Sequence, residues 1–161
     1  LEQFVRDRDR FALLVTALMP DEPIPSTPVL EQARRNAAAR AAFLDEFPTL
    51  SSGEVAELYG SAAQNRAALA QGWRKQGRIF AVPTASGLRF PMFQFQSDGR
   101  PKPQVTRILR ELERAGVHDW EVALWFASAL ASLDGMRSVD VLDQEPDRVE
   151  AAAAQLSAIP Y

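Results

Sequence analysis

A chain of 161 residues with 47% apolar and 24% charged residues has enough apolar material for a packed core, which excludes a disordered polyelectrolyte. It contains no cysteine, which excludes a disulfide frame and a thiolate metal site. The formal net charge is −3, so any contact with a polyanion has to come from a local concentration of positive charge.

In chain order, residues 1 to 18 carry an apolar stripe of Phe4, Val5, Phe11, Leu14, Val15 and Leu18 at helical spacing. Met19 to Pro28 holds four prolines, each fixing φ and removing a backbone donor, so this stretch is expected to be an extended linker. Helix returns over Val29 to Phe47, with Leu30, Ala33, Ala37, Ala41 and Leu44 along one side. Small residues on that side let another helix approach closely, in the same chain or in another, and a homodimer or higher complex is expected. Ser51 or Ser52 caps a short helix with Val55, Ala56, Leu58 and Tyr59 apolar, and Gly60 ends it. Ser61 is expected to cap a second helix from about Ala62 to Gln76, closed by Gly77. Two helices joined by three or four residues with a glycine form a helix-turn-helix. Arg78 to Val82 and Leu88 to Phe95 then read as two strands around a turn at Pro83 to Gly87, a hairpin wing.

Asp98-Gly99 is a turn dipeptide, and Pro101 and Pro103 follow it, so the main domain boundary is placed here. Gln104 to Ala115 is an amphipathic helix, stopped by Gly116. Asp119 is positioned to cap a helix running to about Leu130. A short helix over Ser138 to Asp143 and a last one over Arg148 to Leu156 complete the chain. The fold expected is mainly α. It divides into N-terminal helices and linker (1–48), a helix-turn-helix with a small β-hairpin (49–98) and an α-helical C-terminal domain (99–161).

Charge is unevenly distributed along these segments. Residues 61–110 contain nine bases and one acid, a net +8, against −4 for residues 1–60 and −7 for residues 111–161. A basic band on an acidic chain is the footprint of phosphate-backbone contact. Residues at the start of the second helix are placed to read base edges in the major groove, which selects Gln64, Asn65 and Arg66. Arg74, Lys75, Arg78 and Arg89 are placed to hold phosphates, and Trp73 to face the core. Double-stranded DNA is the expected partner.

Nothing comparable supports catalysis. The single histidine, His118, falls in an interhelical turn. No glycine-rich phosphate loop, metal-ligand spacing or paired nucleophile and base is present, so neither an enzyme nor a cofactor is expected. No apolar run is long enough to span a bilayer. No signal-peptide pattern opens the sequence, which begins at Leu1, and a cytoplasmic location is the default expectation.

Three stretches carry a resemblance. LSSGEVAELYGSAAQNRAALAQGWRKQGRIFAV, FPMFQFQSDGRPKP and WEVALWFASALASLDGMRSVDVLDQEPDRVEAAA, in that order, resemble antitoxins of the Xre/MbcA/ParS type, which are paired with RES-domain toxins. The likeness covers about residues 50 to 156, with Val139 in place of a frequent proline and Phe126-Ala127-Ser128 in place of leucine-x-x-proline. It implies an antitoxin of a type II toxin–antitoxin module, neutralising an NAD-degrading toxin through its C-terminal region and repressing its own promoter through the DNA-binding part. Trp125, Leu133, Asp134, Gly135, Arg148 and Tyr161 would then be toxin-binding positions. The alternative is a stand-alone transcriptional regulator with no toxin partner.

Overall fold

A computed structural model describes residues 26–158. The expected helix over residues 1–18 and most of the proline-rich linker lie outside the described residues. The fold is mainly helical with a small antiparallel sheet. Helix α1 spans Thr27–Glu46, β1 Thr49–Leu50, α2 Ser52–Tyr59, α3 Arg66–Lys75, β2 Val82–Thr84 and β3 Gly87–Pro91. After a 3-10 turn at Met92–Gln94 come α4 (Pro103–Arg114), α5 (Trp120–Ala127), a second 3-10 turn at Ala131–Leu133, α6 (Ser138–Val141) and α7 (Pro146–Ser157).

The residues up to Asn36 cluster apart from a compact unit that begins at Ala37. In the first of these, Pro28 lies inside the first turn of α1 rather than in an extended linker. A proline there costs nothing, because that N–H has no helical partner. Within the second unit, the division expected at residue 98 does not separate two cores. Phe43, Phe80 and Val82 share one cluster with Ile108, Leu112, Phe126 and Val149.

Local signals determine the two best-defined ends. Ser51 caps α2 in a capping box: its hydroxyl accepts the Glu54 N–H at 3.2 Å, and the Glu54 carboxylate accepts the Ser51 N–H at 2.7 Å. Gly60 closes the helix in the left-handed region, φ 75°, and the Ser61 N–H reaches back to the Ala56 carbonyl at 2.9 Å. Ser61 does not cap α3, however. Its hydroxyl accepts the Ala63 N–H at 3.3 Å, and helix begins only at Arg66. The connection is therefore longer than the three or four residues expected.

The strands also differ from expectation. The sheet has three strands in the order β1-β3-β2, and the hairpin pairs Val82 with Arg89 and Thr84 with Gly87 around Ala85-Ser86. Residues 79–81, expected in the first strand, form an extended strap outside the ladder, buried on both sides. Ile79 and Ala81 enter a cluster with Val55, Ala70, Trp73, Phe90 and Phe95 under α2 and α3. Phe80 and Val82 enter the larger cluster under α4 to α7. Alternation of side chains along an extended chain makes this sharing possible.

A strap without strand neighbours would leave backbone polar groups unpaired in the core. The Gln94 side chain prevents this. Fully buried, it accepts the Phe80 N–H through Oε1 at 2.8 Å and donates Nε2 to the Phe80 carbonyl at 2.9 Å. Its neighbours divide as the strap does, Phe95 joining the smaller cluster and Phe93 packing on the larger. Gly99, in the turn that follows, lies against the end of α2. A Cβ there would stand 2.6 Å from the Leu58 carbonyl carbon and the Tyr59 nitrogen, and φ is +81°.

Replacing Gln94 by methionine, similar in length but unable to pair, strands two buried backbone groups at about 1 to 3 kcal/mol each. Chemical denaturation is expected to show a loss of about 2 to 6 kcal/mol; a loss below about 1 kcal/mol would show that the amide clamp is dispensable.

Candidate functional site

The residues expected to read DNA lie on and beside α3. Ala70 and Trp73 anchor that helix in the core. Tyr59 meets Trp73 edge-on at 5.2 Å and Phe95 lies 6.5 Å from it, so Trp73 faces inward, as expected. Gln64, Asn65 and Arg66 are all exposed. Only Arg66 is in the helix, at its first position; Gln64 and Asn65 belong to the connection, and the Asn65 side chain makes no cap. The late helix start has a further consequence. Along α3 the solvent side runs Ala68, Gln71, Arg74, Lys75, which puts Gln71 in the middle of the exposed face. Sequence reasoning passes over Gln71, although its i+3 and i+4 spacing to Arg74 and Lys75 is the available signal.

The cations are not equally available. Arg66 lies 3.0 Å from Glu57 of α2, and Arg74 lies 3.5 Å from Asp119. Both are exposed pairs of small net worth, easily exchanged for another anion. Among the described residues Lys75 and Arg78 have no acidic partner within 4.0 Å, and the Arg78 guanidinium sits 5.4 Å from the centre of the Trp73 ring. Arg89 is different. Its Nε donates to the Thr49 hydroxyl at 3.1 Å and its Nη2 to the Thr49 carbonyl at 3.0 Å, with Glu54 at 3.7 Å. It fastens β3 to β1 and to the start of α2, which leaves it the least free of the seven positions expected to contact DNA.

The +8 band of the sequence is also smaller in space. Lys102 pairs with Asp143 at 2.8 Å, and Arg107 with Glu150 at 2.7 Å and Asp147 at 3.3 Å. These contacts turn the start and middle of α4 toward α7 and neutralise them there. Arg66, Arg74, Lys75 and Arg78 lie on or just after α3, while Arg110, exposed on α4, also has no acid within 4.0 Å among the described residues, and exposed Arg100 lies 3.7 Å from Asp98.

The positions that the resemblance ties to a toxin divide as well. Asp134, in the left-handed region at φ 57°, accepts Arg148 Nη2 at 2.9 Å, and Arg148 also pairs with Glu145. These two carboxylates raise the pKa of Arg148, with the Glu145 hydrogen bond contributing most. Gly135 follows Asp134 and is exposed, and Trp125 is half-buried, edge-on to Phe126 at 5.2 Å. Leu133, by contrast, is fully buried in the larger core and offers no surface to a partner. Tyr161 lies outside the described residues. His118 is exposed in the turn before α5.

No family model and no curated protein matches the chain. The NMR structure of Rv2175c is similar to it, with 29% sequence identity and a TM-score of 0.54 over 68% of this chain and 82% of that one. The likeness therefore extends across most of a mainly helical fold.

Glu54 supports the site from behind, through α2 and Arg89. Its pKa is lowered from 4.5, first by the Ser51 backbone hydrogen bond, then by the Ser51 hydroxyl, with a smaller contribution from Arg89. A depressed folded-state pKa contributes stability above the unfolded value and loses it as pH falls through the folded one. Glu54→Gln is expected to lower the melting temperature at pH 7, with the gap to wild type closing below pH 4.5. A gap that stays constant down to about pH 3 would assign the effect to shape rather than charge.

Proposed function

We propose that this chain binds duplex DNA as a transcriptional regulator, through a helix-turn-helix made of α2 and α3 with the β2-β3 hairpin as its wing. The observation that carries the reading is the exposed approach to α3: Gln64 and Asn65 in the connection and Arg66 at the first helical position stand clear of the core, just ahead of a helix that Ala70 and Trp73 anchor. Entered into a major groove, Arg66 has the fork to bridge guanine O6 and N7, and Gln64, Asn65 and Gln71 the amides to bridge adenine. Exchange of Glu57 for a base edge costs Arg66 little, since their pair is exposed. Arg74, Lys75 and Arg78 hold phosphates on the flank. The hairpin tip, Thr84 to Gly87, is uncharged, and its Thr84 and Ser86 hydroxyls, 3.1 Å apart, offer donors to the sugar-phosphate backbone.

The experiment is a titration of a fragment carrying the upstream region of the chain's own gene, at several salt concentrations. Replacing Arg74 and Lys75 together by alanine is expected to flatten the slope of log K against log salt by about 1.8, at about 0.9 for each phosphate no longer neutralised. An unchanged slope removes both residues from the interface, and equal affinity for random duplex removes the reading of sequence.

A second reading adds toxin neutralisation by the C-terminal helices, making the chain the autorepressing antitoxin of a RES-type toxin. Asp134, Gly135 and Arg148, three positions that the sequence resemblance ties to toxin contact, favour it, because they come together at one exposed place. Co-expression with the neighbouring gene's product tests this: the intact chain is expected to rescue growth, and Arg148→Glu to lose rescue while still binding DNA. Continued lethality beside the intact chain leaves the regulator without a toxin.

A further inference from the structure

A cleft of about 260 Å³ opens between the C-terminal end of α3 and the junction of α4 with α5. Its floor is formed by the edges of Ile79, Phe80, Leu109 and Val122, buried members of the two cores, so small apolar areas among polar groups are in place before any ligand. Arg74 and Lys75 stand on one side of its mouth, and Asp119 and Glu113 belong to the other. Arg74 is tied only by its 3.5 Å contact with Asp119, longer than a hydrogen bond, and Lys75 has no acidic partner among the described residues. The turn that presents Asp119 is fixed. The Glu121 carboxylate accepts the His118 N–H at 3.3 Å, the His118 carbonyl accepts the Glu121 N–H at 2.9 Å, and Asp119 is held at φ 47°, ψ −115°.

Two cations over an apolar floor match a carboxylate carried on an apolar body. The carboxylate takes the Arg74 fork in place of Asp119, with Lys75 as a second donor, and the body lies on the floor. The acids opposite act as a filter, since a second negative charge on the ligand would meet Asp119 and Glu113. We infer that this cleft binds a small monocarboxylate with an apolar body, and that its occupancy withdraws Arg74 and Lys75 from DNA. The second half rests on the DNA-binding reading above; the first stands without it.

The full chain is titrated without DNA by amide NMR shifts, using 3-phenylpropionate, the matching cation 3-phenylpropylamine and inorganic phosphate as probes. Phenylpropionate is expected to shift residues 74–81 and 117–122 saturably, half-saturating below about 5 mM for a ligand of this size, while the amine and phosphate leave them unmoved. His118→Trp, which adds bulk at the exposed mouth, is expected to weaken binding at least about tenfold with an unchanged melting temperature. Arg74→Ala with Lys75→Ala is expected to abolish it. No saturable shift, equal response to the amine or to phosphate, or wild-type binding by His118→Trp overturns the site. With the duplex present, saturating phenylpropionate is expected to weaken DNA binding at least about tenfold in wild type and to leave His118→Trp unaffected. A chain that takes the carboxylate but binds no duplex overturns the DNA reading and keeps the site. One that binds both without mutual weakening overturns the coupling alone.

Discussion

The strap shared by the two cores is held by one amide. Gln94 satisfies both backbone groups of Phe80, and it does so where no strand is available to do the same work. The pairing admits only one orientation of the side chain, oxygen toward the N–H and nitrogen toward the carbonyl. On either side of it the chain alternates between two cores, Ile79 and Ala81 going one way, Phe80 and Val82 the other. A buried, fully satisfied polar contact of this kind fixes register more than it adds net stability, because shifting the strap by one residue would send each of its side chains into the wrong core. The strap thus contributes to both cores, the one under α3, which carries Arg66 and Arg74, and the one under α4 and α5, on either side of Asp119.

Much of the scaffold is legible because its signals are local. Ser51 and Glu54 are three residues apart and spell a capping box; Gly60 and Gly77 stop helices; Pro103 and Pro146 stand in the opening turns of α4 and α7. The start of α3 is not legible in the same way. Ser61-Ala62-Ala63 contains nothing that opposes helix, and the turn made there by the Ser61 hydroxyl competes with capping on nearly equal terms. The strap reads as a strand because its composition is that of one. What replaces its partner is a side chain fourteen positions away, and no periodicity reports that. Leu133 shows the limit of carrying roles by resemblance: its place in a motif says nothing about which way it faces, and it faces inward.

Charge is the least transferable part. A running sum along the sequence treats Lys102 and Arg107 as companions of Arg74, yet their nearest acids lie about forty positions later, in the α6–α7 turn and on α7. Folding commits those cations to joining helices, and a smaller set remains around α3. Arg89 is consumed similarly, fastening β3 to Thr49. The pattern is instructive for basic segments in general, because only those cations whose surroundings lack acid after folding contribute to an external field. Lys75, Arg78 and Arg110 are of that kind among the described residues, and Lys75, with Arg74, is shared by the cleft and the proposed DNA flank.

The glycine at position 99 has a mechanical consequence. It brings its own backbone close against that of Leu58 and Tyr59, with no room for a side chain between them. Contacts between side chains yield by rotamer changes; two backbones in van der Waals contact do not. The tail of α2 and the turn leading into α4 therefore behave as plates of one hinge-free bracket. A displacement at the root of α4 reaches the first of the paired helices as a rigid push, without an intervening layer to absorb it.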